Sequence, residues 1–194
     1  AFPPVLSPVT LKLKPSDFEP SSGAGLQREP FTTRMVLTDG GVYDNIGLET
    51  AFKRCRTLLV SDAGGQMQAL EDPAENWASH SKRVLDMVDN QVRSLRKRQL
   101  LDAFTSTDPA HRRAGAFWSV RSDIDNYQLA DALAAPFDRA QELARIPTRL
   151  DSMPDNLQER LINWGYAITD AAIRKHWDPA IAKPSALPYP GTGI

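Results

Sequence analysis

The sequence holds one cysteine, Cys55, among its 194 residues. An internal disulfide is therefore excluded, and a reducing compartment such as the cytoplasm is tolerated. Charge of one sign is also lacking. The formal net charge of −1 gives no global attraction to nucleic acid or to anionic membranes. No apolar run approaches the roughly 18 residues that a membrane-crossing helix needs. The three histidines, His80, His111 and His176, are scattered without metal-ligand spacing, so no metal centre is expected. No signal-peptide pattern is present, and the chain starts at Ala1 rather than methionine, as an excised segment or a processed product would. What remains is 41% hydrophobic content, enough for a sizeable core in one domain or a large piece of one. In that setting Cys55, within "FKRCRTLLV", reads as a small buried hydrophobe.

Residues 1–33 are rich in proline, which cannot donate to a strand ladder, so this segment reads as extended loop with "TLKLK" as a short edge strand. Ser21 to Gly25 reads as a flexible loop or turn. The pattern then tightens. "RMVL" reads as a strand, "NIGLETAFKRC" as a short helix and "TLLV" as a second strand. Their continuous apolar runs predict strands covered on both faces, joined as a parallel βαβ crossover. A long helix is predicted from Trp77 to Phe104, with Trp77, Val84, Leu85, Val88, Val92, Leu95 and Leu100 as its core stripe. "FWSV" predicts another strand. A last helix starts near Asp155, where Asp155 and Gln158 have capping-box spacing, and buries Leu157, Leu161, Trp164, Ile168 and Ala171. Residues 183–194 read as an irregular tail. The architecture is α/β, without an internal repeat or a clear second domain.

Two acids stand beyond strand ends, where open α/β sheets gather their functional groups: Asp39 in "VLTDGG" and Asp62 in "LLVSDAGG". Glycines after each allow a close approach of substrate or loop. Asn45 is placed to cap the helix after Asp39, with Glu49 in its first turn. A carboxylate held between a strand end and a capped helix has the preorganisation a general base requires. The plainer reading is that both acids only organise turns. An aspartyl-phosphate nucleophile would need a second Asp two positions on, where Gly41 stands.

Through "TDGGVYDNIGLE" and "RCRTLLVSDAGG" the chain resembles a bacterial branch of the patatin-like phospholipases. The resemblance extends to "AFWSVRSDI", "PTRL", "ERLINWGYAITDAAIR" and "AFPPVLSPV". It implies a three-layer α/β/α fold with a mainly parallel central sheet, and hydrolysis of the carboxylic esters of phospholipids or related acyl lipids by a Ser–Asp dyad, without metal or cofactor. It carries the catalytic Asp onto Asp39, with Gly40, Gly41 and Asn45 supporting its loop. The Gly-x-Ser-x-Gly elbow and glycine-rich oxyanion loop of the family occur nowhere in the chain. Neither Ser22 nor Ser61 has the flanking glycines. Residues 1–194 are therefore expected to be the C-terminal part of one such domain, with the nucleophile upstream, and to be inactive alone. Partners implied are the acyl lipid, the nucleophile-bearing part of the same enzyme and a peripheral membrane contact, but no nucleic acid.

Other segments carry less. Phe2 in "AFPPV" reads as packing or as lining an acyl pocket. "RSDIDN" lacks the glycine and distal glutamate of a calcium loop and reads as a turn. "RSLRKRQ" reads as a solvated helix face or a headgroup contact. Two other functional readings stay open. One is a non-catalytic α/β interaction domain or pseudoenzyme fragment. The other is a phosphate-binding α/β domain using the glycine loop after Asp39.

Overall fold

The computed structural model describes residues 8–19, 24–147 and 151–194. Phe2, Ser22 and all of "PTRL" except Pro147 lie outside the described residues. The fold is mixed α/β, and the described residues form two separate two-stranded sheets.

The first sheet is antiparallel. Strand β1 (Val9–Lys12) pairs with β2 (Arg34–Leu37), Val9 opposite Leu37 and Lys12 opposite Arg34. The connection is not extended throughout, as its prolines suggest. Single 3-10 turns form at Pro15–Asp17 and Ala24–Leu26. Proline suits the first of these because its missing N–H is not needed there, and the Asp17 carboxylate accepts the Lys14 N–H at 2.9 Å. The predicted crossover from "RMVL" to "TLLV" is not formed: β2 pairs only with β1 among the described strands, and Val36 and Leu37 are 52% and 40% exposed. Periodicity identified the strand but not its neighbour.

The second sheet is parallel. Strand β3 (Thr57–Asp62) and β4 (Ala114–Ser119) pair from Thr57–Ala114 to Asp62–Ser119, joined through the 29-residue helix α3 (Trp77–Thr105). This is the βαβ unit of the molecule. Gly115 makes the pairing possible. Its φ is +136°, and a Cβ there would lie 1.8 Å from the Leu58 carbonyl oxygen.

Helices lie against both faces of β3–β4. Leu58, Val60 and Phe117 face the helix α2 (Leu48–Arg54) and the fully buried Leu100 of α3. On the other face, Ala116 and Trp118 meet Trp164, Ala167, Ile168 and Ala171 of α5 (Asp155–His176), with Ala140 and Leu143 of α4 (Phe137–Ala144) completing the larger core. The α5 stripe thus lies where its spacing predicts. Its capping box does not form: Pro154 is the N-cap, and the Gln158 amide donates to the Met153 carbonyl at 2.6 Å. The outer stripe of α3 is the larger correction. Trp77 is 83% exposed, and Val84, Leu85, Val88 and Leu95 are also exposed. Cys55 is exposed rather than buried. No described helix is long and apolar enough to cross a membrane.

The tail is irregular but anchored. Asn163, fully buried on α5, donates to the Tyr189 and Gly193 carbonyls at 2.9 and 2.7 Å and accepts the Tyr189 N–H at 2.9 Å. Leu187 and Ile194 then pack against the main core. Asn163→Ala removes three bonds made by a fully buried side chain, so a loss of about 3 kcal/mol is expected. Urea unfolding measures it, and a loss well under 1 kcal/mol would show that the tail is not held this way.

Candidate functional site

The chain turns sharply after β2. Asp39 is exposed two residues beyond the strand, and its Oδ1 accepts the Gly41 N–H at 2.7 Å. This local bond closes an Asx turn and starts the four-residue helix α1 (Gly41–Asp44), with Gly40 as N-cap. Gly41 lies between two side chains: a Cβ there would sit 2.9 Å from Asn45 Oδ1 and 3.0 Å from Asp39 Oδ1. Asp39, Gly41 and Asn45 are therefore brought together, and any larger residue at 41 pushes them apart.

Asn45 does not cap the following helix. The helix expected over "NIGLETAFKRC" is present as α2, but it starts at Leu48, and Asn45 is the C-cap of the preceding α1. Gly47 separates them at φ +67°, a left-handed angle that glycine adopts without strain. The acceptor at the start of α2 is Asp44, whose Oδ2 takes the Glu49 N–H at 2.8 Å. A local cap preference could not rank Asn45 against Asp44, because the break at Gly47 decides which is in reach.

Glu49 connects this segment to α3. It accepts the Tyr43 hydroxyl at 2.6 Å and forms close ion pairs with Lys53 and with Arg96 of α3. The Arg96 Nε also lies 3.8 Å from Asp44 Oδ2. Hydrogen bonds from Lys53 and Tyr43 hold the Glu49 carboxyl down to about 2, from an ordinary 4.5. Leu48, buried beside Leu58 and Leu100, adds the apolar part of the attachment.

The second acidic turn repeats the first. Asp62 ends β3, and its Oδ1 accepts the Gly64 N–H at 2.9 Å. Beyond it the 63–68 loop borders an open cleft of about 990 Å³, with Asn45 and Ile46 on one side and α3 on another. Arg93 donates to the Gly65 carbonyl at 2.5 Å and Arg83 to the Gln68 carbonyl at 2.7 Å. Lys82 and Asp86 also line this cleft and pair at 3.1 Å. Asp62 and Asn45 line the cleft, whereas Asp39 does not; Asn45 is the link between the cleft and the Asp39 turn.

The basic run "RSLRKRQ" is partly solvated, with Arg98 exposed, but three of its cations are engaged within the molecule. Arg93 holds the loop, Arg96 holds Glu49, and Lys97 stands 4.8 Å from the Phe117 ring centroid. Arg93 and Arg96 are three residues apart, a spacing that puts them on one side of a helix. That spacing was the available signal for a structural role. "RSDIDN" is a turn as expected, with Asp123 accepting the Asp125 N–H at 3.1 Å ahead of a 3-10 segment over Ile124–Tyr127.

No family model, curated protein or solved structure matches this chain.

Two tests address how the site is held. A Cβ at Gly64 would lie 1.9 Å from the Arg93 guanidinium, so Gly64→Ala is expected to displace Arg93 and release the loop. Amide exchange over residues 63–68 should rise at least about tenfold while α5 is unchanged; unchanged loop protection would contradict the arrangement. Glu49 gives a pH dependence. Its carboxyl is lower in the folded state, so its stabilisation is present above about pH 4.5 and is lost as pH falls toward 2. Glu49→Gln should be less stable than the parent at pH 7, and the two should converge at acid pH. A constant gap across that window would show that the charge on Glu49 is not the stabilising group.

Proposed function

We propose that residues 1–194 are the C-terminal part of a patatin-like serine lipid acyl hydrolase and supply its general base, Asp39. The observation that carries this reading is the state of Asp39. One carboxylate oxygen is fixed by the Gly41 N–H, yet the residue remains exposed beyond a strand end. A base requires that combination of fixed direction and access to an incoming hydroxyl.

In this reading the serine lies in polypeptide outside these residues, on a Gly-x-Ser-x-Gly elbow. Asp39 takes the hydroxyl proton as the serine oxygen attacks the ester carbonyl. The alcohol leaves with that proton, and an acyl-enzyme remains. Water then attacks the acyl group while Asp39 accepts its proton. Asp39 passes that proton to the serine oxygen as the acyl–oxygen bond breaks, which regenerates serine and releases the fatty acid. Gly40, Gly41 and Asn45 position the base. No metal or cofactor takes part. The parallel β3–β4 pair with helices on both faces supports a three-layer patatin-like sheet completed by the upstream part. Phospholipid substrate, cytoplasmic location and peripheral membrane contact belong to the same proposal.

The competing reading is a non-catalytic α/β interaction domain, favoured by the absence of the elbow from these 194 residues. Hydrolysis of a short-chain chromogenic ester separates the two. The upstream-extended protein should be active, its Asp39→Asn variant about 10²- to 10⁴-fold slower with the fold intact, and the 194-residue chain inactive. Equal rates for parent and variant would remove Asp39 from the mechanism. Turnover by the short chain that depends on Asp39 would overturn the need for an external serine.

A further inference from the structure

The inner side of α3 is identified by its contacts: Arg83 and Arg93 hold the 63–68 loop, Arg96 pairs with Glu49, and Leu100 is fully buried. On the opposite side, at helical spacing, stand Trp77, Ser81, Val84, Val88, Gln91 and Leu95. Trp77 is 83% exposed, and Val84, Val88 and Leu95 are between 42% and 49% exposed. None of the six carries a charge. They run for about 27 Å along the helix at 1.5 Å per residue. A solvated helix face is polar and often charged, so a charge-free apolar stripe of this length marks an interface.

The order of the stripe specifies what fits it. The steps are four, three, four, three and four residues, a heptad seam. The pattern is apolar, polar, apolar, apolar, polar, apolar, and it reads the same in both directions. Two copies of α3 laid antiparallel, with the two-fold axis beside Asp86, set Trp77 against Leu95, Ser81 against Gln91 and Val84 against Val88, each pair occurring twice. Every apolar side chain meets an apolar one, and the two uncharged polar side chains meet each other. The same orientation brings Glu71, Asp72 and Glu75, just ahead of α3, toward the exposed Arg98 of the second copy. Parallel copies would instead oppose Arg98 to Arg98. A membrane surface is a poorer match, since lipid-binding helices flank their apolar face with lysine and arginine, and this face has neither between Trp77 and Leu95.

We propose that the outer face of α3 is a self-association surface through which two copies of this chain form an antiparallel dimer. The proposal does not depend on the catalytic reading. Sedimentation equilibrium of the 194-residue chain from about 1 to about 200 μM tests it by mass action. The parent should dimerise, and Val88→Glu should raise the dissociation constant at least about tenfold. Val88 is half-exposed, so circular dichroism of the variant should match the parent. Register is tested in a Cys55→Ser background. Ser81→Cys combined with Gln91→Cys should form an interchain disulfide on oxidation, and Ser81→Cys alone should not.

A monomer at every concentration would overturn the proposal, as would a dimer that Val88→Glu leaves intact. Cross-linking by Ser81→Cys alone, or none by the pair, would overturn the antiparallel register. A monomer that sediments with phosphatidylcholine–phosphatidylglycerol vesicles, and loses that binding with Val88→Glu, would assign the face to lipid and refute the dimer.

Discussion

Arg96 joins the segment bearing Asp39 to the parallel βαβ unit. It reaches from α3 to Glu49, and its Nε approaches Asp44, so one guanidinium meets the acids on both sides of the Gly47 break. Without it the exposed turn at Asp39 would be attached through Leu48 and the backbone of α2. Partly exposed ion pairs contribute little individually. Here the effect is geometric: the network of Tyr43, Glu49, Lys53 and Arg96 sets the path of the chain from the strand end at Leu37 to the buried Leu48. The position of the carboxylate follows from that path.

A second constraint lies at Gly115. The parallel pair can close only if the backbone at 115 approaches Leu58 without a side chain between them. Once closed, β4 presents Phe117 to the α2–α3 side and Trp118 to α5, so a two-stranded sheet separates two apolar clusters. The β3 strand end then carries Asp62 into the cleft, and α3, bound by the crossover, places Arg83 and Arg93 over the loop that follows. Both acidic turns use one device, a carboxylate oxygen accepting the N–H of a glycine two residues later. They differ in surroundings: Asp62 lines a cleft walled by α3, whereas Asp39 stands outside it.

Elements set by local pattern were legible in the sequence. "RMVL", "TLLV", the helix from Trp77 and the α5 stripe all lie where their spacing puts them, because apolar period follows directly from helix and strand geometry. Pairing was not legible. The partner of β2 is β1, an assignment made by register and by the course of the chain between Leu13 and Thr33. Orientation of α3 was misread for a related reason. A two-sided helix offers an apolar stripe and a stripe of Arg and Asp, and the inner side is the polar one, where guanidiniums find loop carbonyls and Glu49. At the site, the Asp-Gly-Gly turn was readable from residue type, while the cap at Asp44 depended on a left-handed Gly47 that no pattern specified. Asn163 was hidden because its partners, Tyr189 and Gly193, lie in a tail with no periodicity.

The central claim, that Asp39 activates a serine borne outside these residues, is tested most directly by covalent trapping. The upstream-extended protein, treated with a fluorophosphonate ester and analysed by peptide mass spectrometry, should be labelled on one serine upstream of residue 1, within a Gly-x-Ser-x-Gly segment. Labelling should slow by about 10²-fold or more in Asp39→Asn, as expected when a general base is removed. An unlabelled protein, or an upstream serine labelled equally fast in both forms, would contradict the account.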